Sequence, residues 1–363
     1  MKKILILSSL SVIALIYMYA NNPADEASKS YTVKTNVHIK SKVKDKQISK
    51  RKIEKKVIPS NIIKESDNRS MDTVASRQKF SDELVKNDSK YIYDAWVKIL
   101  DTQERRKLNL ISDALAWKLQ HSDEIKVYEE LNELYTYSEF KQQMILTDLL
   151  GRVSTAKSTS ILLEKLMHSS DNEINSAIYD AIDNSVSNLW DGEFHIELSE
   201  PLEKVWNKET KDMKLLSNIG NSIAKIGSQN GIKLLIGKMK NYTLDELKNS
   251  KDNQAIVAFN VLENVTNPDA IDVLSDSITN YNDNSAILYA KINALASQRN
   301  VVATASLLSW AKNTKSSQLV KMAFSKLSDT KSLELVKKSL KDEVEEYRNY
   351  EIREVMLEIV KNK

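Results

Sequence analysis

Four histidines, His38, His121, His168 and His195, are the only imidazoles among the 363 residues, and there is no cysteine. None forms an HExxH pair and none lies beside a serine in a nucleophile-elbow context, so zinc-protease and serine-hydrolase chemistry lack their sequence frames. The densest group of potential ligands is Asp191-Gly192-Glu193-Phe194-His195-Ile196-Glu197-Leu198, preceded by Trp190. On an extended backbone Asp191, Glu193, His195 and Glu197 fall on one side and Phe194, Ile196 and Leu198 on the other. Oxygen and imidazole donors on one face suit a divalent ion. The plainer expectation is an inserted loop that meets a partner through Trp190, Phe194 and His195, with no metal and no cofactor. A second group, Lys50, Arg51, Lys52, Lys55 and Lys56, is cationic and suits lipid headgroups, cell-wall polymer or an acidic protein. Nucleic acid is not expected, because no aromatic residues interleave with these cations for base stacking.

The chain around these groups divides by composition. Lys2 and Lys3 precede an apolar run, Ile4 to Ala20, interrupted only by Ser8, Ser9 and Ser11. That is the pattern of an export signal, and the run is also at the lower edge of what spans a bilayer. Cleavage after Ala20 would place Met18 where a small residue is expected, so residues 1–20 read as a signal peptide or a retained N-terminal membrane anchor. Either role puts the remainder in a bacterial periplasm or cell envelope. Residues 21–75 read as a flexible basic linker. Between Ser28 and Lys64, twelve Lys and Arg face only Asp45 and Glu54, while residues 76–363 carry a small acidic excess. From Tyr31 to Val43 the linker alternates β-branched and cationic positions, which would let it add a strand to another protein's sheet edge.

Residues 76–363 must position everything else. Six glycines and four prolines are too few for a sandwich, a barrel or phosphate-cradling loops, which favours an all-α fold. Helix starts are expected at Ser81-Asp82-Glu83, and helical segments near 90–119, 124–136 and 138–152. From about residue 145, five segments (151–166, 224–239, 263–278, 294–310 and 325–340) repeat one cadence. A helix ends on an apolar residue, a small polar turn follows, and an apolar i, i+3, i+4 pattern restarts. Apolar anchors fall at Val153, Val186, Ile226, Val265, Leu295 and Leu327, at intervals characteristic of helical repeats. Asn267-Pro268-Asp269 is the clearest turn, with proline suited to the first helical position. In this cadence the chain resembles HEAT-type repeat proteins, although their usual arginine is mostly missing. The resemblance implies a right-handed α-α superhelix, an α-solenoid, and residues 76–150 read as its cap or a divergent pair.

Trp96, Trp117, Trp206 and Trp310 sit at helical spacing among aliphatic residues and are expected in the core. Tyr128, Tyr135, Tyr137, Tyr347 and Tyr350 suit partial burial or surface contact. The charge-rich segment Asp342–Lys363 reads as a terminal cap with a polar outer face. Together these readings describe an exported or membrane-tethered, non-catalytic scaffold that binds another protein. The layout of anchor, linker and helical body also resembles the lipase foldases, whose signature begins Arg-x-x-Phe-Asp-Tyr. Arg77 and Phe80 match it, whereas Ser81 and Asp82 replace the next two residues. That resemblance implies a steric chaperone for a secreted protein. A polymer binder acting through the basic linker is the further alternative.

Overall fold

The computed structural model describes residues 74–363, apart from 103, 123, 188–193 and 209–211, with side chains from residue 79 onward. The segment 1–20, the alternating stretch Tyr31–Val43, the cluster Lys50, Arg51, Lys52, Lys55 and Lys56, and Trp190 lie outside the described residues. Within them the chain is all-helical, with eighteen α-helices and no strand. The one β-type pairing among the described residues is an isolated bridge between Thr243 and Ser285.

In chain order the helices are α1 (Val74–Leu84), α2 (Ser89–Ile99), α3 (Arg105–Gln120), α4 (Ile125–Tyr137), α5 (Phe140–Val153) and α6 (Ala156–His168). Then follow α7 (Asn172–Ser187), α8 (Ser199–Trp206), α9 (Met213–Ile226), α10 (Gln229–Gly237), α11 (Leu244–Lys248) and α12 (Asn253–Val261). The last six are α13 (Ile271–Ser275), α14 (Ala286–Ser297), α15 (Val301–Ala311), α16 (Ser317–Lys326), α17 (Thr330–Asp342) and α18 (Tyr350–Lys361). Two expected boundaries move. Ser81-Asp82-Glu83 lies in the last turn of α1, and the true start is Asp88, whose carboxylate accepts from Tyr91 N–H at 2.7 Å. The segment 90–119 is two helices, because the Thr102 hydroxyl and N–H both bond the Ile99 carbonyl and end α2 there.

Each polar turn of the cadence starts a helix by the same device. Thr155, Ser228, Asn267, Asn300 and Asp329 each accept a backbone N–H two or three residues on, satisfying donors that a first helical turn leaves unpaired. Gly227, at φ 65°, closes α9 in the left-handed region, and a Cβ there would stand 2.5 Å from Asn267 Cβ. The helix before each turn and the helix after it belong to different rows. In the first row α3, α5, α7, α9, α12, α14, α16 and α18 touch in succession. In the second, α2, α4, α6, α8, α10, α13, α15 and α17 do the same. Thus α2–α4, read as part of a cap, follow the same pairing as the rest. The anchors Val153, Ile226, Val265, Leu295 and Leu327 are all buried between the rows.

One apolar core follows both rows, with Trp96, Trp206 and Trp310 buried in it. Helix α11 covers a small satellite of Leu247, Ala255 and Ala286. At the C-terminal end α18 buries Ile352, Met356 and Val360 and packs on α16, leaving its charged side outward. Among the described residues no helix is long and apolar enough to cross a membrane.

Candidate functional site

Counting back from the turn residues gives the first row a common register. The residue seven before the helix-start positions Glu124, Thr155, Ser228, Asn267, Asn300 and Asp329 is Trp117, Asp148, Asn221, Asn260, Asn293 and Met322. The residue three before them is His121, Arg152, Lys225, Asn264, Ser297 and Lys326. Positions four apart share one helix face, so six of the eight helices of the row, α3, α5, α9, α12, α14 and α16, carry such a pair on the helix or in the turn that ends it; of these residues Met322 packs against the core.

These residues link helix to helix. Arg152 joins Asp113 of α3 at 2.6 Å and Asp148 of its own helix at 2.8 Å. Burial pulls its guanidinium pKa down, but the two carboxylates outweigh that and raise it above the ordinary value. Lys225 reaches Asp183 of α7 at 2.5 Å and Ser187 Oγ at 3.3 Å. Asn264 Nδ2 donates to Asn221 Oδ1 at 2.9 Å, and Asn293 Nδ2 to Glu263 Oε2 at 3.0 Å. Lys326 approaches Glu263 at 3.4 Å and Ser297 Oγ at 3.5 Å, and Lys363 Nζ donates to the Ser325 carbonyl at 2.8 Å. The turn carbonyls are capped from neighbours as well. Gln120 donates to Arg152 O at 3.0 Å, Ser185 to Gly151 O at 2.9 Å, and Asn267 to Ile226 O at 2.8 Å. These partners satisfy acceptors that helix C-termini cannot satisfy themselves.

Two clefts of about 600 Å³ each open on this stripe, one bordered by His195 and the other by Phe194. The first is lined by Asp113, Trp117, His121, Arg152, His195 and Glu197, among others. Trp117 is the correction to the expected core: it is 47 % exposed, its ring stacked on His121 with centroids 4.5 Å apart. The sequence does hold a signal for this. Leu108, Ile111, Leu115 and Leu119 form the buried stripe of α3, and Trp117 falls instead on the line Asp113–Trp117–His121. His121 Nδ1 lies 2.7 Å from the Trp117 carbonyl, which holds the imidazole against the indole. The second cleft is lined by Val186, Ser187, Phe194, Asn221, Lys225, Glu263, Asn264 and Thr266.

The expected loop residues therefore separate. Phe194 lines the second cleft and His195 the first, where its Nδ1 lies 3.2 Å from Glu197 Oε1. The expectation of an extended backbone fails after His195. Ile196–Leu198 is a 3-10 turn, which buries Leu198 and leaves Ile196 48 % exposed, because its side chains no longer alternate between two faces. Among the described residues no three His, Asp or Glu side chains gather as a metal site would require. Tyr128, Tyr135 and Tyr347 are buried, whereas Tyr137 and Tyr350 stand out into solvent. The stripe offers an indole face, two imidazoles, amides and mutually paired charges, which is chemistry for contact. The sequence matches no protein-family model and no curated protein.

Proposed function

We propose that the protein is a non-catalytic scaffold of a bacterial envelope that binds another protein along the first row of helices. In this reading the body is an α-solenoid, a right-handed superhelix of HEAT-like degenerate repeats. Residues 1–20 export or anchor it, and the basic linker 21–75 sets its reach and local concentration. Helices that pack chiefly on their near neighbours in two rows support the repeat reading. The observation that carries the binding reading is Trp117. An indole half-exposed over a cleft, braced by His121 and bordered by ion pairs, has the make-up of an interface anchor. Phe194 is its counterpart in the second cleft.

The test is an affinity capture from envelope extract, comparing the full chain with its Trp117→Ala/Phe194→Ala variant and quantifying each retained protein by mass spectrometry. Anchor residues are worth about 2 kcal/mol or more when truncated, so a discrete partner should drop by a factor of roughly thirty. Equal retention by both chains removes the clefts from the binding surface. Loss only on replacing Lys50, Arg51, Lys52, Lys55 and Lys56 by Ala transfers the activity to the linker and supports the polymer-binding alternative.

A further inference from the structure

The turns that return the chain from the second row to the first, α4–α5, α6–α7 and α8–α9, adjoin one another at one edge of the body. Lys165 Nζ, near the end of α6, donates to Thr136 Oγ1 of α4 at 2.8 Å, and Lys208 Nζ, just past α8, lies 3.3 Å from Met167 Sδ. Large apolar side chains stand out along this edge: Tyr137, 82 % exposed, with Phe140, Met167 and Met213. Between them lie lysines with no carboxylate partner among the described residues. Elsewhere in the body Lys90, Lys225, Lys312 and Lys326 each meet an Asp or Glu. Lys165 and Lys214 instead stand 5.7 Å and 5.2 Å from the centres of the Tyr135 and Tyr179 rings, and Lys208 rests on the Met167 thioether. Burial lowers the Lys165 pKa, and the charge of Glu164 offsets this only in part. Most acids of the edge are engaged at helix starts. Asp171 accepts from Glu173 N–H at 2.8 Å and Ile174 N–H at 3.1 Å, and Asp212 from Lys214 N–H at 2.9 Å and Leu215 N–H at 3.1 Å. Glu139 forms a capping box with Gln142. First-turn donors and the helix dipoles oppose these charges. Glu164 and Glu173 are the described carboxylates left, against Lys165, Lys208 and Lys214.

We propose that this edge rests on a lipid bilayer, with Tyr137, Phe140, Met167 and Met213 at the acyl boundary and Lys165, Lys208 and Lys214 on lipid phosphates. A lysine whose stem lies on an apolar or aromatic surface, with its ammonium unpaired, is placed to reach headgroups from that boundary. Tyrosine suits the same level, because its ring is amphipathic and concentrates at membrane–water interfaces. Apolar residues alternating with cations on one side of a body favour lying on an anionic membrane, not spanning it. A protein face would have to set an acid opposite each lysine, whereas a layer of phosphates supplies anions at any register. The inference goes beyond the scaffold reading and does not depend on it, since the clefts beside Trp117 and Phe194 open on the first-row stripe and not on this edge.

The chain has no cysteine, so Tyr137→Cys, Met167→Cys and Val302→Cys each give a single site for a nitroxide label. Val302, exposed in the first turn of α15, is the reference away from the edge. The labelled full chain is mixed with vesicles of phosphatidylcholine containing phosphatidylglycerol. Electron paramagnetic resonance then compares label collisions with dissolved oxygen and with a water-soluble nickel chelate. Each label reports its own surroundings, whether or not residues 1–20 insert. Vesicles should cut nickel access several-fold and raise oxygen access at Tyr137→Cys and Met167→Cys, while Val302→Cys behaves as in water. Lys208→Glu/Lys214→Glu changes two exposed residues and should weaken docking about tenfold or more, since each cation near an anionic surface contributes roughly a fivefold factor. Circular dichroism and melting of each variant separate lost docking from lost fold. Unchanged nickel access at both edge labels overturns the proposal, and equal protection at Val302→Cys overturns the edge as the point of contact. Protection that grows with protein concentration in the absence of vesicles assigns the edge to a second copy and overturns the lipid reading. Docking indifferent to Lys208→Glu/Lys214→Glu does the same.

Discussion

Lys291 shows how a single residue of this fold can be tested. It is only 3 % exposed, in the middle of α14, where its Nζ donates to the Asp276 carbonyl at 2.7 Å and lies 5.5 Å from the centre of the Tyr281 ring. The carbonyl it caps lies just past the end of α13, in the turn that Ser277 carries through the left-handed region at φ 56°. Burial lowers the Lys291 pKa below the ordinary 10.5, and the nearby Asp276 charge offsets this only in part. For a basic group lowered by folding, the unfolded chain holds more protons between the folded pKa and 10.5. Stability contributed by the group therefore rises with pH through that window. Lys291→Met keeps the stem and removes the donor, so this part-buried hydrogen bond is lost, which costs about 0.5–1.5 kcal/mol. Urea titrations at a series of pH values should show the variant weaker at pH 7 and the gap widening as pH climbs toward 10.5. A flat or narrowing gap would mean the amine is not the group that holds the turn.

Glycines test how closely the helices approach. At Gly151, on α5, an added Cβ would stand 2.8 Å from Ala181 Cβ and 3.2 Å from its Cα on α7. Neither atom belongs to a flexible side-chain end, so the two helices must separate. Overpacking of this kind costs about 1–3 kcal/mol, more than the gain of about 1 kcal/mol that alanine brings to a helix interior. Gly237, the last residue of α10, would meet nothing within 4 Å. The same substitution should thus have opposite signs. In chemical denaturation Gly151→Ala is expected to lose about 1 kcal/mol or more, and Gly237→Ala to gain a few tenths to about 1 kcal/mol. Equal effects would show that helix propensity, not the α5–α7 approach, decides stability at both places.

At the scale of the molecule, contacts run between near neighbours in the two rows, so cooperativity should be limited in range. Ending the chain at Asp342 removes α18 and uncovers the side of α16 on which it packs. Hydrogen exchange of the shortened chain should show protection lost in α16 and α17 while α3, α5 and α7 keep theirs. Uniform loss along the rows would instead describe one cooperative unit and would count against the solenoid reading. For the same reason a single unfolding free energy describes such an array poorly when its ends melt first.

The helical class and the sites of the turns could be read from the sequence, because they depend on local chemistry. Few glycines and prolines, periodic apolar residues, and Thr155, Ser228, Asn267, Asn300 and Asp329 at helix starts act over one or two turns of chain. Phe194 and His195 were also legible as surface residues, since they interrupt a helical pattern. The division of those two residues between separate clefts was decided only by tertiary structure, whereas the exposure of Trp117 has a signal in its place off the stripe Leu108, Ile111, Leu115 and Leu119. A tryptophan beside leucines satisfies the rule for a core position, and the packing of α2 and α5 on α3 confirms which side is covered. The shared register of Asn221, Asn260 and Asn293 needed both kinds of information. It is written in the distances to the turns, but a row exists only because packing sets α9, α12 and α14 side by side, and that adjacency joins residues some forty positions apart.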